Sequence, residues 1–266
     1  MNRAPLTIAM NGATGRMGLR IIQLIAQADD LALAAALDRP GHPQLGEDIG
    51  PMAGLNRLGV PLADRLDGKA DVVIDFSTPE GTSAIAPVCA DRGIPLVVGT
   101  TGLEPGPRAD LERLADRIPL LIAANFSKAV NVLMFLVGEA ARVLGPSADI
   151  EIVERHHRFK KDAPSGTALR LAEVAASAIG SDRFVHGRHG LVGERPAGEI
   201  GLHALRTGDN PGEHTVVFGL MGECLELSHR ALNRDGFARG ALDAARFLAG
   251  KPPGRYSMDD LLRLGG

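Results

Sequence analysis

Short runs of apolar residues alternate with stretches of helical period through the first half of this chain. Leu6 to Met10, Leu31 to Leu37, Asp71 to Phe76, Leu96 to Gly99 and Leu120 to Ala124 each read as a strand, being brief, nearly unbroken apolar runs. Between them, apolar positions recur at helical spacing over Met17 to Ala28, Glu80 to Arg92 and Arg108 to Arg117. Strands that are apolar throughout, rather than at alternate positions, are buried on both faces, and such strands separated by helices form a parallel sheet. The pattern predicts a Rossmann-type, doubly wound α/β layout. The stretch from Arg39 to Val60, rich in Gly and Pro, shows no comparable period.

After Asn125 the pattern changes. A strongly apolar helix is predicted over Val130 to Leu144, and then Asp149 to Arg155 (DIEIVER) alternates apolar with charged positions, the period of a half-exposed strand. Ile200 to Leu205, His214 to Phe218 and Leu225 to Ser228 also read as strands, set apart by turns such as GDNPGE at Gly208 to Glu213. These residues predict a second, α+β domain with a mixed open sheet over 126–235. An amphipathic helix over Gly236 to Leu248 is expected to return to the first domain, which would then comprise 1–125 and 236–266. The open sheet has apolar faces and edges to cover, and self-association is the simplest way to cover them.

Composition narrows the class. The 266 residues are 45% hydrophobic and 23% charged with a net charge of −3, enough for two modest cores. No block of basic residues offers a stripe for nucleic acid or an anionic membrane, so neither partner is expected. Trp is absent and Tyr256 is the single Tyr, which argues against an aromatic platform for single-stranded nucleic acid. The first residues lack the apolar stretch of a secretory signal and runs such as Leu31 to Leu37 fall short of a membrane span, so a cytoplasmic protein is expected. Cys89 and Cys224 are both expected to be buried free thiols.

Two segments carry candidate chemistry. GATGRMG, from Gly12 to Gly18, follows the first strand and opens the first helix. There Gly12 allows a tight turn, Gly15 lets the backbone approach a pyrophosphate, and Gly18 allows close packing, with helix-terminal N–H groups facing negative charge. Asp38, twenty residues after Gly18, stands where an acidic side chain accepts from the adenine ribose hydroxyls, and Arg39 beside it suits a 2′-phosphate. The pair leaves NADH and NADPH both open. GTTG (Gly99 to Gly102) and ANFS (Ala124 to Ser127) close two further strands, where ligands of open α/β sheets sit, and are expected to line the nicotinamide side with backbone groups and small hydroxyls.

The second segment is HHRFKKDAPSGTA, from His156 to Ala168. Its imidazoles and ammonium groups suit proton transfer, and the turn Pro164-Ser165-Gly166-Thr167 feeds a helix predicted over Ala168 to Ala178, whose start suits a carboxylate. Adjacent histidines on an extended strand point to opposite faces, no Cys is near, and the lysines would repel a cation, so no metal is expected. No GxSxG elbow occurs, which removes Ser-His-Asp hydrolysis.

Taken in order, GATGRMG, DFSTPEGT (Asp75 to Thr82), GTTG, AANFS, the HHRFKKDAPSGTA segment after EIVE, and GEHTVVF (Gly212 to Phe218) resemble the 4-hydroxy-tetrahydrodipicolinate reductase, or dihydrodipicolinate reductase, family. The resemblance spans essentially the whole chain. It implies reduction of a cyclic, imine-bearing dicarboxylate to tetrahydrodipicolinate by NADH or NADPH, in lysine and diaminopimelate biosynthesis. It also implies that His156 and Lys160 are the acid/base pair, that His157 contacts substrate, and that Gly166 and Thr167 hold a carboxylate. For the dinucleotide it implies contacts from Gly12, Ala13, Thr14, Gly15, Arg16, Met17 and Asp38, from Gly99, Thr100 and Thr101, and from Ala123, Ala124, Asn125 and Phe126, with Arg39 serving the NADPH phosphate. Lys161 places a second ammonium beside Lys160, and the family register favours Lys160. The family is typically tetrameric through its second sheet. Two alternatives compete with it. A homoserine- or aspartate-semialdehyde-dehydrogenase-like oxidoreductase would share the layout, but the latter needs a catalytic Cys and Cys89 lies in a first-domain helix. A nucleotide-sensing regulatory protein would have no use for the His156 to Ala168 segment.

Overall fold

A computed structural model of the chain describes residues 4–264, which fall into two compact units, one running up to Lys128 and resuming over Asp235–Arg263, the other Ala129–Arg234. In the first unit the chain runs β1 (Leu6–Asn11), α1 (Arg16–Ile25), β2 (Leu31–Leu37), α2 (Ile49–Met52), β3 (Leu62–Ala63), β4 (Val72–Asp75), α3 (Pro79–Arg92), β5 (Leu96–Val98), α4 (Pro105–Arg113) and β6 (Pro119–Ile122). In the second come α5 (Lys128–Leu144), β7 (Asp149–His156), α6 (Gly166–Ile179), β8 (Phe184–His186), β9 (Ile200–Arg206), β10 (Glu213–Leu220) and β11 (Glu223–Arg230). The first unit then resumes with α7 (Asp235–Leu248), β12 (Gly254–Tyr256) and α8 (Met258–Leu262).

The seven described strands of the first unit form one sheet in the order β12-β6-β5-β4-β1-β2-β3, every pair parallel. Its central strands β1, β4, β5 and β6 are buried on both faces, and alternate residues divide between two cores. Ile8, Met10, Ile74, Val97 and Leu121 pack with the apolar stripes of α1 and α7, while Ala9, Val73, Val98 and Leu120 pack with Ile85 and Cys89 of α3 and Leu111 of α4. The chain returns from the second unit through α7, which an ion pair between Arg20 and Asp235 ties to α1 at 2.7 Å.

Most element boundaries fall within a few residues of those predicted, and the differences have local causes. α1 begins at Arg16 because Gly15 takes the extended conformation of an N-cap. The helical pattern at Arg108 to Arg117 resolves into α4 followed by a 3-10 turn at Leu114–Asp116. α2, β3, β8, β12 and α8 have two to five residues each, too few to show a period.

The second unit holds a five-stranded sheet in the order β11-β10-β7-β9-β8, with β10 antiparallel to both its neighbours and β9 parallel to β7 and β8. One face is covered by α5 and α6: Leu133, Val137 and Ala141 from the first helix and Leu171, Ala172 and Ala175 from the second meet Ile150, Ile152, Val216 and Phe218. Lys128–Ser147 is long and apolar enough, by length and composition, to cross a membrane, which no short apolar run suggests. Its buried stripe is that of a helix laid on a sheet. Cys89 is buried, as expected, and burial pushes its thiol up to about 12. Cys224 is exposed, against expectation. β11 is an edge strand, and its pleat turns Leu227 toward the helices and Cys224 to the opposite face, where its cross-strand partner is Gly219.

That opposite face is partly bridged by charge. Glu151 on β7 accepts from Arg188, Arg195 and His203. Burial raises its carboxyl, but the hydrogen bonds from Arg188, His203 and Arg195 prevail and hold it at about 2. A folded-state value below the unfolded one means stability that is complete above about 4.3 and is lost as pH falls toward about 2. Glu151→Gln should therefore unfold more readily at neutral pH yet lose less further stability across that acid window, as measured by denaturant unfolding at several pH values. An acid slope equal to wild type would remove Glu151 from the response.

Candidate active site

In the first unit, the turn after β1 is shaped by what its glycines lack. Gly12 has φ of +79°, and a Cβ there would lie 2.5 Å from the Phe76 carbonyl oxygen; one on Gly18 would lie 2.2 Å from the carbonyl oxygen of Gly12. Gly15 is the N-cap of α1 with no side-chain cap, and Gly15 and Arg16 are exposed at the helix start. Gly12 and Ala13 both donate their N–H groups to the Leu37 oxygen at 2.9 Å, and Ala13 is fully buried, so these two build the turn rather than face outward. Met17 is half-buried and packs on the core.

A cavity of about 560 Å³ opens beside this turn, lined among others by Thr14, Asp38, Arg39 and Arg65. Asp38 accepts from Thr14 N at 3.1 Å, Thr14 Oγ1 at 2.6 Å and Arg39 N at 2.9 Å. Burial raises the Asp38 carboxyl, yet those hydrogen bonds prevail and hold it below its ordinary value. It is thus a fixed anion with lone pairs to spare. Arg39 is exposed.

Asp75, wholly buried at the end of β4, was not singled out by sequence reasoning. Its carboxylate accepts from Asn11 Nδ2 at 2.8 Å, Ser77 Oγ at 2.5 Å, Thr82 Oγ1 at 2.5 Å and Thr100 Oγ1 at 2.9 Å. The Thr100 hydroxyl, expected to face a ligand, is turned inward onto this carboxylate and also accepts from Ser77 N at 3.0 Å. Thr101 is exposed. Phe76 fills the space left by Gly99, where a Cβ would lie 2.4 Å from its ring, and meets Phe126 with ring centroids 5.5 Å apart. Phe126 is buried, Ala123 donates to the Val98 oxygen at 3.1 Å, Ala124 is exposed, and Asn125 accepts from Ser127 N at 2.9 Å.

In the second unit, His156 is the last residue of β7 and His157 the first residue beyond it. His156 is buried with Nδ1 2.6 Å from Glu154 Oε2, whereas His157 has its Nδ1 buried without a partner and its ring 6.2 Å from that of Phe159. Burial, then the charges of Lys160 and Arg206, push the His156 imidazole below its ordinary value, against the pull of Glu154. The ring is therefore neutral near pH 7. Lys160 is half-buried and pairs with Asp162 at 2.9 Å, while Lys161 is exposed. Of the two ammonium groups, Lys160 is the one whose charge bears on His156.

Ser165 caps α6, its Oγ accepting from Ala168 N at 3.2 Å, and Gly166 stands exposed with open space where a Cβ would be. Gly166 and Thr167 are the first two residues of a 14-residue helix, where N–H groups and dipole favour an anion. Three residues passed over in the sequence complete this half. Buried Glu154 pairs with half-buried Arg206, and His214, pushed down to about 4 by burial and the neighbouring His156 and His229, lies 3.1 Å from Ser165 Oγ. His214 falls within the GEHTVVF motif and Glu154 closes the EIVE before the His156 to Ala168 segment, whereas Arg206 offered only the end position of a strand. Among the described residues, no group of three or more His, Cys, Asp or Glu could hold a metal ion.

A parallel sheet with a glycine-built turn at the end of its first strand, joined in one chain to a mixed sheet bearing imidazole, ammonium and a capped helix start, defines a two-domain, nucleotide-dependent oxidoreductase. Residues 6–126 match the family described as dihydrodipicolinate reductase, N-terminus, and residues 129–262 the one described as dihydrodipicolinate reductase, C-terminus. The chain is 50% identical over 265 residues to the 4-hydroxy-tetrahydrodipicolinate reductase of Anaeromyxobacter sp. (strain Fw109-5), covering 97% of this chain and 98% of that protein. It is 48% identical over 260 residues to that of Myxococcus xanthus (strain DK1622), covering 95% and 96%. A dipicolinate-bound dihydrodipicolinate reductase from Paenisporosarcina sp. TG-14 has the same fold, with a TM-score of 0.77 at 24% identity over 96% of this chain and 98% of that one. The fold extends to an amine dehydrogenase from Mycobacterium smegmatis, with a TM-score of 0.62 at 14% identity over 99% and 98%. This chain belongs to the dihydrodipicolinate reductase family.

Proposed function

We infer that the protein reduces 4-hydroxy-tetrahydrodipicolinate to tetrahydrodipicolinate in lysine and diaminopimelate biosynthesis, with NADH or NADPH as hydride donor. The observation that carries the reading is the second unit's constellation: a neutral, carboxylate-held imidazole and a half-buried ammonium on the same loop as a capped helix start. A dicarboxylate needs an anion site, and a reduced imine conjugate needs a proton donor; both requirements are met within thirteen residues. Gly166 and Thr167 hold a substrate carboxylate at the start of α6. His157, whose Nδ1 has no partner, supplies a further substrate contact. Lys160 donates the proton that the enamine-like product of reduction must receive, and neutral His156 orients the substrate and relays that proton.

What supports a dinucleotide in the first unit is the tight turn that Gly12 and Gly18 permit, since a Cβ at either would collide with backbone, together with the exposed Gly15 at the start of α1 and the fixed Asp38 carboxylate beside the cavity. When bound, the cofactor supplies the hydride. Asp38 accepts from the ribose hydroxyls, and Arg39 meets a 2′-phosphate when one is present. Arg39→Ala should raise KM for NADPH roughly tenfold while leaving that for NADH within about twofold, since a charged hydrogen bond to phosphate is at stake. Equal changes for both cofactors would show that Arg39 does not read the phosphate.

The same reading places the protein in the cytoplasm as a homotetramer. It is supported by the uncovered face and edge of the second sheet, where Met221, Cys224 and Leu225 are exposed. The deciding assay follows the absorbance of reduced nicotinamide with freshly prepared 4-hydroxy-tetrahydrodipicolinate. Absence of oxidation would reject the reductase reading.

A further inference from the structure

Glu154 is a carboxylate 1% exposed on β7 to which neither nucleotide nor substrate recognition assigns a part. Its spacing of two from His156 along the strand puts both side chains on one face. Oε2 lies 2.6 Å from His156 Nδ1 and accepts from Arg206 Nη1 at 2.9 Å. Oε1 accepts from Ser165 N at 3.0 Å and from Arg206 Nη2 at 2.9 Å. Arg206 Nη2 reaches on to the Asp162 carbonyl oxygen at 2.5 Å. One side chain thus ties the end of β7, the turn entering α6 and the end of β9.

We propose that Glu154 is a positioning residue which holds His156 as the Nδ1–H tautomer and, through its other oxygen, keeps the start of α6 in register with that ring. An ionised carboxylate can only accept, so the proton of a neutral His156 must sit on Nδ1 and the lone pair on Nε2. Gly212, just before β10, leaves room for that second nitrogen, since a Cβ there would stand 2.9 Å from Nε2, and the His214 ring of β10 lies edge-on with centroids 5.3 Å apart. Arg206 balances the buried charge, which alone would not explain why the second lone-pair direction of each oxygen is spent on a site element. Hydrogen bonding from Arg206 and His156 outweighs burial and holds Glu154 below its ordinary value, so it stays ionised through the neutral range.

The inference rests on the reading of His156 as a proton-handling group, and the test keeps the two apart. In the full-length wild-type protein, nitrogen NMR of the histidine rings should show His156 with Nδ1 protonated and Nε2 bare near pH 7; the charged and titratable groups facing it are Glu154, Lys160, Arg206 and His214. Glu154→Gln should lower kcat roughly 10- to 100-fold, the range typical of a lost orienting partner. It should raise KM for the dicarboxylate, shift the His156 titration to lower pH because the carboxylate that favours its proton is gone, and leave NADH and NADPH affinity unchanged. Glu154→Asp, which keeps the charge, should recover part of kcat. A wild-type ring carrying its proton on Nε2, or a Glu154→Gln enzyme with wild-type kcat and His156 titration, would overturn the proposal, and the first of these needs no variant to fold. His156→Ala with unaltered kcat would instead overturn the reading beneath it, whichever tautomer the ring adopts.

Discussion

Lys160→Ala should reduce kcat by about 10²- to 10⁴-fold, the usual contribution of a positioned general acid, while the dissociation constants of NADH and NADPH stay within about twofold. Lys160 is the group expected to supply the proton, because His156 is buried, depressed below its ordinary value and engaged with Glu154 through Nδ1, so that it can relay a proton through Nε2 but is not its source. Cofactor affinity should hold because the dinucleotide is assigned to the other compact unit. Lys161→Ala supplies the control. Its side chain is exposed, and its loss should cost less than about threefold in kcat, consistent with a solvated surface charge. Steady-state absorbance measurements at saturating cofactor decide the matter. A Lys160→Ala enzyme with unaltered kcat would remove Lys160 from the mechanism, and a larger loss in Lys161→Ala would transfer the role.

Asp75→Ala should be the most damaging substitution in the first unit for stability, costing on the order of 3–5 kcal/mol. The carboxylate is wholly buried and satisfies Asn11, Ser77, Thr82 and Thr100. Its removal leaves several buried donors unpaired at about 1–3 kcal/mol each, offset in part by hydroxyls that rotate to new partners. Because Asn11 lies on β1, Thr82 on α3 and Thr100 in the loop after β5, the loss should also loosen the loop assigned to the nicotinamide side. Denaturant unfolding followed by circular dichroism measures the stability. A change below about 1 kcal/mol would mean that water or a rearranged Asn11 replaces the carboxylate.

Where a physical signal repeats along the chain, the sequence is legible. The central strands of the parallel sheet are apolar throughout, and α1, α6 and α7 bury stripes at helical spacing, so their existence follows from the pattern of apolar residues alone. α2, β3, β8, β12 and α8 escape notice because two to five residues carry no period and are ordered by neighbours distant in sequence. Cys224 illustrates a related failure: apolar neighbours on an edge strand do not reveal which face is covered. The candidate site divides in the same way. The glycine turn and the His156 to Ala168 segment are contiguous and could be read directly. The partners that hold them, Asp75 for the first and Glu154 with Arg206 and His214 for the second, look like ordinary strand-end or loop residues until pairing is known.

By itself, then, the order of residues determined the two-part architecture, the positions of the glycine turn and of the His156 to Ala168 segment, and the family to which the chain belongs. Each of these depends on spacing between residues close in sequence, which backbone geometry converts directly into shared faces. The tertiary structure alone decided that the Thr100 hydroxyl turns inward, that Lys160 rather than Lys161 is half-buried, and that His156 is held through Nδ1. Those outcomes depend on burial and on hydrogen bonds across tens of residues, Asp75 to Thr100 and Glu154 to Arg206, and neither desolvation nor pairing is specified until the strands lie side by side.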